Sequence, residues 1–159
     1  MNKRVLLAHI VASLEKSLAL LEKAARASHE EATHESSRAE SKYDTRGLEA
    51  AYLAGGQARQ AREILDSIEL YQTLPIRDYG PTEPIDLTAV VELQAGSSRS
   101  IYFLGPKNGG LELEFEGQEI VVITPQSPLG QNLMGKKTGD RWSQKLGGSA
   151  MKYVILKVI

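Results

Sequence analysis

ITPQSPLGQNLMGKKTGD, residues Ile123–Asp140, decides how this chain is read. It holds too much Pro, Gly and small polar residue to be one element. Its parts predict a strand end, a rigid turn bounded by proline, one short apolar helical turn through Leu129, Leu133 and Met134, and a basic loop punctuated by glycine.

Working outward, the flanks of this stretch have a period of two. Leu87–Gln94, Arg99–Leu104, Leu111–Phe115, Glu119–Thr124 and Met151–Val158 are rich in Val, Ile, Leu and aromatics and are bounded by Gly, Pro, Ser and Asn. Leu111, Leu113 and Phe115 alternate with Glu112, Glu114 and Glu116, the pattern of a half-buried strand. Gly105–Gly110 lacks the Gly-Lys-Ser/Thr ending of a phosphate loop and reads as a hairpin turn. The expectation is a small antiparallel sheet with one short helix near Leu129–Leu133.

Toward the N-terminus the period changes to that of a helix. Over residues 3–31 Leu7, Val11, Leu14, Leu18, Leu21, Ala25 and Ser28 recur at three and four. Over residues 44–73 Leu48, Ala51, Gly55, Ala58, Ala61, Leu65 and Ile68 do the same. Each segment has a single apolar stripe to bury, so the two are expected to fold back as an antiparallel coiled-coil hairpin. Gly55-Gly56 marks either a close helix approach or a kink. Between the halves, PIRDYGPTEPID at Pro75–Asp86 has three prolines and no periodicity, as a linker or an ordered strap would. The expected division is therefore a helical hairpin over 1–74 with its tip at about 32–44, a linker over 75–86 and a β domain over 87–159. The fold class is α+β.

Composition narrows the function. The formal net charge is −1, whereas a protein that neutralised phosphates directly would be basic, so a protein partner is the better expectation. The absence of cysteine removes disulfides, thiolate metal sites and Cys nucleophiles, and fits a reducing cytoplasm. No apolar run approaches a membrane span and no signal-peptide pattern is present. His29 and His34 are five apart, the wrong spacing for a zinc pair on one helix face. His9 is expected at the surface or flanking the seam, and Trp142 in the core.

The opening stretch resembles the C-terminal signature of Gre-type bacterial transcript-cleavage factors. It carries Ser127-Pro128, Gly130, Leu133-Met134, Gly135-Lys136 and Gly139-Asp140 in order and without gaps. A long α-hairpin followed by an FKBP-like β domain is that family's architecture. The resemblance implies an accessory regulator, not an enzyme by itself. It would be a monomer that docks at the secondary channel of RNA polymerase core, meets the nascent RNA only indirectly and touches no membrane. Docking would involve Ser127, Pro128, Met134, Lys136, Lys137 and Arg141. The hairpin connection, His29–Asp44, holds five carboxylates, Glu30, Glu31, Glu35, Glu40 and Asp44. In the family, tip acids help hold a Mg²⁺ ion shared with the polymerase and orient an attacking water. The chain would have no cofactor of its own. Aligned on that motif, Glu40 takes the place of the family's Glu, Ser37 stands where an Asp is usual, and Glu35 or Asp44 could substitute. Binding without cleavage, as an inhibitor or competitor, is the alternative that Ser37 keeps open. Prolyl isomerisation ranks last, because Phe103 and Phe115 are expected in the core. The segment Lys42–Gln60, with Tyr43, Arg46 and Tyr52, departs most from the usual factors.

Overall fold

Asn2 starts the first helix. Its side-chain oxygen accepts from the Arg4 and Val5 amides at 3.1 and 3.4 Å and its carbonyl from Leu6 at 3.0 Å, so amides without an intrahelical partner are satisfied at the first turn. In this computed structural model, which describes residues 1–33, 46–146 and 149–159, helices α1 (Lys3–Thr33) and α2 (Arg46–Thr73) precede a six-stranded sheet. The strands are β1 (Val90–Ala95), β2 (Ser98–Leu104), β3 (Glu112–Phe115), β4 (Gln118–Ile123), β5 (Arg141–Leu146) and β6 (Ser149–Val158), with a short helix α3 (Pro128–Leu133) between β4 and β5. The α+β class holds. The chain forms two compact units, Met1–His9 with Leu74–Ile159, and Ile10–Thr73.

In the helical unit, α1 buries Ile10 and Leu14 and half-buries Val11, Leu18, Leu21 and Ala25, a stripe at spacings of three and four. On α2 the stripe runs through Gln57, Ala61, Ile64, Ile68 and Tyr71, alternating four and three. Ala61 and Ile68 hold their expected places. Gly55, Ala58 and Leu65 do not; all three are exposed, Leu65 by 50%. The phase is set by the large residues Ile68 and Tyr71 near the helix end, which place Ile64 and not Leu65 inward.

The sheet departs from expectation in one respect. Its order is β3-β4-β2-β1-β6-β5, and β2 pairs with β4 in parallel, so the sheet is mixed and not wholly antiparallel. The composition of the strands explains this. In β4, Ile120, Val122 and Ile123 are buried and Val121 is half-buried, the near-continuous apolar run of an interior strand. In β3 the glutamates 112 and 114 face solvent between buried Leu113 and Phe115, which suits an edge. A tight turn with Glu116 and Gly117 at φ 52° and 72° joins them antiparallel. Once β4 takes the interior place beside β2, that pairing must be parallel. Gly105–Gly110 is consequently a crossover between unpaired strands and not the expected hairpin turn, and Glu116 belongs to a turn and not to the strand.

Strand alternation and register separate two apolar faces. One carries Val90, Phe103, Ile120, Val122, Leu113 and Phe115; His9, itself exposed, rests edge-to-face on Phe115 at 5.1 Å. The other carries Val91, Leu93, Leu104, Ile123, Ile155 and Val158, packed with Leu133 of α3 and with Tyr79 and Ile85 of the proline-rich strap. Ile155 and Val158 share this face although they are three apart, because a register shift between Glu92 and Leu93 skips Leu156. The strap is an ordered part of this unit. Lys3 Nζ, from the start of α1, donates to the Arg77 carbonyl at 2.5 Å and lies 4.7 Å above the Tyr79 ring.

Candidate functional site

The sharp turn after β4 is built on one carbonyl and one hydroxyl. The Thr124 oxygen accepts from the Ser127 amide at 3.0 Å and from Ser127 Oγ at 2.7 Å. The same Oγ accepts from the Gly130 amide at 3.0 Å, which makes Ser127 the N-cap of α3. Pro128 follows at the first helical position, where its missing N–H costs nothing. Gly130 is required: a Cβ there would stand 1.9 Å from the Thr124 oxygen. The helix closes with the Met134 amide on the Gly130 carbonyl, and Gly135, at φ 76°, turns the chain away.

From that point the backbone is tied on both sides. Gly135 and Lys136 exchange hydrogen bonds with Ile85 of the strap at 2.9 and 2.8 Å. The Lys137 amide donates to Asp140 Oδ2 at 2.8 Å, Gly139 adopts φ 90°, and Gly139 and Asp140 exchange hydrogen bonds with Ile155. Underneath, Trp142 of β5 stacks on Tyr153 of β6 with centroids 4.8 Å apart and planes 9° from parallel. Lys136 Nζ lies 5.7 Å from the Trp142 ring centre, within reach of a cation–π attraction.

The six expected docking residues therefore fall on one short, heavily braced segment, with different roles. Pro128, Lys137 and Arg141 are exposed, and Met134 and Lys136 are half-buried. Met134 packs against the core, as Leu129 does, while Leu133 is fully buried. Ser127 has its hydroxyl committed to the turn. The surface combines a proline, a thioether and three cations over a rigid base. Such a surface can recognise a protein; it holds no nucleophile–base pair.

Trp142 is half-buried beside the core, with its indole nitrogen lacking a hydrogen-bond partner among the described residues. Neither its pairing with Tyr153 nor strand β5 stands out in the sequence pattern. Gly147-Gly148 between two strand-length segments was the available signal. The charges around the strap are structural. Burial lowers the Lys3 pKa to about 8 against the pull of Asp78. The Gly80 amide, and then Arg77 at 3.1 Å, hold the Glu83 carboxyl below its ordinary range. Burial raises the Tyr79 phenol.

Glu35, Glu40 and Asp44, together with Ser37, lie outside the described residues. Among the described residues no three His, Asp or Glu side chains are grouped to hold a metal ion, and no helix is long and apolar enough to cross a membrane.

Residues 81–159 match the family described as "Transcription elongation factor, GreA/GreB, C-term". No curated protein matches the chain. Solved structures similar to it include the GreA factor homolog 1 (Gfh1) protein of Thermus thermophilus, at 19% identity over 94% of each chain and TM-score 0.37. Gfh1 of Thermus aquaticus is 24% identical over 92% of this chain and 89% of its own, at TM-score 0.38. A GreA/GreB factor from Nitrosomonas europaea is 22% identical over 60% and 78%, at TM-score 0.36.

Proposed function

We propose that this chain, which by its residues 81–159 belongs to the GreA/GreB family of transcription elongation factors, is an accessory regulator of bacterial RNA polymerase in the cytoplasm. It docks at the rim of the secondary channel through the α3 turn of its FKBP-like domain. Its two long helices form an antiparallel hairpin that carries the His29–Asp44 connection toward the polymerase active site. There Glu40, with Glu35 or Asp44, adds oxygen ligands to a Mg²⁺ ion that the polymerase also holds. Mg²⁺ favours such ligands, and metal charge on the attacking and leaving oxygens assists phosphoryl displacement. The chemistry belongs to the polymerase; this chain supplies carboxylates and position.

The observation that carries the reading is the α3 turn itself. Pro128, Met134, Lys136, Lys137 and Arg141 are accessible on a segment whose backbone is bonded to Thr124 just after β4, to the strap and to β6. Preorganisation of that kind lowers the ordering cost of association.

Binding to core polymerase, measured with labelled protein, should weaken at least tenfold in the Met134→Ala, Lys136→Ala double variant and hardly change in Glu40→Ala. Cleavage by a backtracked elongation complex should be stimulated by the wild type, lost in Glu40→Ala and increased in Ser37→Asp. Normal binding by the double variant would remove the α3 turn from the docking surface. A second reading follows from Ser37, whose hydroxyl is a poorer Mg²⁺ ligand than a carboxylate: the chain occupies the channel and competes with cleavage factors. Tight binding without cleavage, with activity gained in Ser37→Asp, would select it. Prolyl isomerisation loses its aromatic lining, since Phe103 and Phe115 are both buried in the sheet's core.

A further inference from the structure

We propose that Gly55-Gly56 is a bending point built into α2, dividing it into an outer segment, Arg46–Ala54, and an inner segment, Gln57–Thr73, that reorient separately. The two glycines sit inside an uninterrupted helix, where each weakens the helix relative to alanine. Close packing among the described residues does not explain them. Both are exposed, and a Cβ built at either meets no described atom within 4 Å. Neither adopts the positive φ that would demand glycine. The sequence thus gives up helix stability at two adjacent positions that alanine would fit.

The surroundings change at the same place. Before the pair, the described side chains Tyr52 and Leu53 are exposed by 74% and 57%. After it begins the stripe through Gln57, Ala61, Ile64, Ile68 and Tyr71. The first member of that stripe, Gln57, has a buried amide oxygen with no hydrogen-bond partner among the described residues, a cost that weakens this end of the stripe. A helix is held straight by its own ladder and by what packs on it. At Gly55-Gly56 the intrinsic preference is lowest and no described residue packs on the glycines, the combination at which helices kink. The inference is independent of polymerase binding. Under the reading above, it would let the end that leads to the connecting loop adapt within a confined site.

The chain has no cysteine, so a label pair introduced by Tyr52→Cys and Glu69→Cys is site-specific, and both positions are exposed. They span the glycines at roughly 25 Å along a straight helix. Spin-label distance measurements on the full chain should give a broad or shortened distribution. Adding Gly55→Ala and Gly56→Ala should narrow it to the straight-helix value. Amide exchange over Arg46–Leu53 should also slow by about 15- to 30-fold in the alanine variant, with Gln57–Thr73 within twofold of wild type. Identical narrow distributions with and without the alanines would overturn the proposal, as would exchange over Arg46–Leu53 unchanged within twofold.

Discussion

Replacing Gly130 by alanine puts the geometry of the α3 turn to a direct test. The added methyl carbon would stand 1.9 Å from the Thr124 oxygen and 2.8 Å from its carbon, about 1.5 Å inside the ~3.5 Å of a comfortable contact. Both neighbours are backbone atoms immediately after an interior strand, so no side chain can swing aside. Relief requires α3 to lift from β4. That breaks the Ser127 amide and hydroxyl bonds to Thr124 and strains the Gly130 amide bond to Ser127. At about 1 kcal/mol for each bond, and with part of the roughly 2 kcal/mol of Leu133 burial also lost, the cost comes to about 3–5 kcal/mol. Urea unfolding followed by Trp142 fluorescence should show the midpoint falling by about 2 M. Gly80→Ala is the matched control, since its methyl would meet only the flexible end of Glu83 at 3.5 Å. If Gly130→Ala unfolds within 1 kcal/mol of wild type, the turn is not braced as described and the rigid docking surface fails with it.

Lys3 gives a pH prediction with a definite sign. Folded, it loses its proton near pH 8, and unfolded only near 10.5. The unfolded chain therefore binds more protons in that window, and stability rises with pH across it, by at most about 3 kcal/mol. Lys3→Met should flatten the rise in urea midpoints measured from pH 7 to 10. Above pH 10 the raised pKa of Tyr79 acts in the opposite sense. On the edge hairpin, Glu114 stands directly across from Glu119, both exposed. Glu114→Lys should raise the unfolding free energy by about 0.2–1 kcal/mol in low salt and by less in high salt; a loss of stability would show that the pair is not in the register given.

What the sequence disclosed followed the clarity of its patterns. Proline and glycine at fixed offsets located α3 to within a residue, and the Glu/Leu alternation located β3. Strand direction was not legible, because the choice of β3 or β4 as partner of β2 depends on the whole sheet's burial. β5 escaped notice because Arg-Trp-Ser-Gln-Lys-Leu is an edge strand with little apolar alternation. The α2 stripe was misphased because the Leu65 and Ile64 positions differ by only one residue, and tertiary packing at Tyr71 decided between them. At the candidate site the exposed residues could be named from sequence. The Trp142–Tyr153 stack beneath them could not, since it depends on a cross-strand register.

The position of β6 bears on how the protein is made. The last strand of the sheet to be synthesised is an interior one, lying between β1 and β5. Until it arrives, β1 has one unpaired side and β5 has no partner at all. The apolar face formed by Val91, Leu93 and Leu104 also waits for Ile155 and Val158. A chain in which β6 is not yet paired therefore presents an open, hydrophobic sheet edge to its neighbours. The sheet closes only once β6 takes its place between β1 and β5, so its assembly ends in one late step and not by strand-by-strand accumulation.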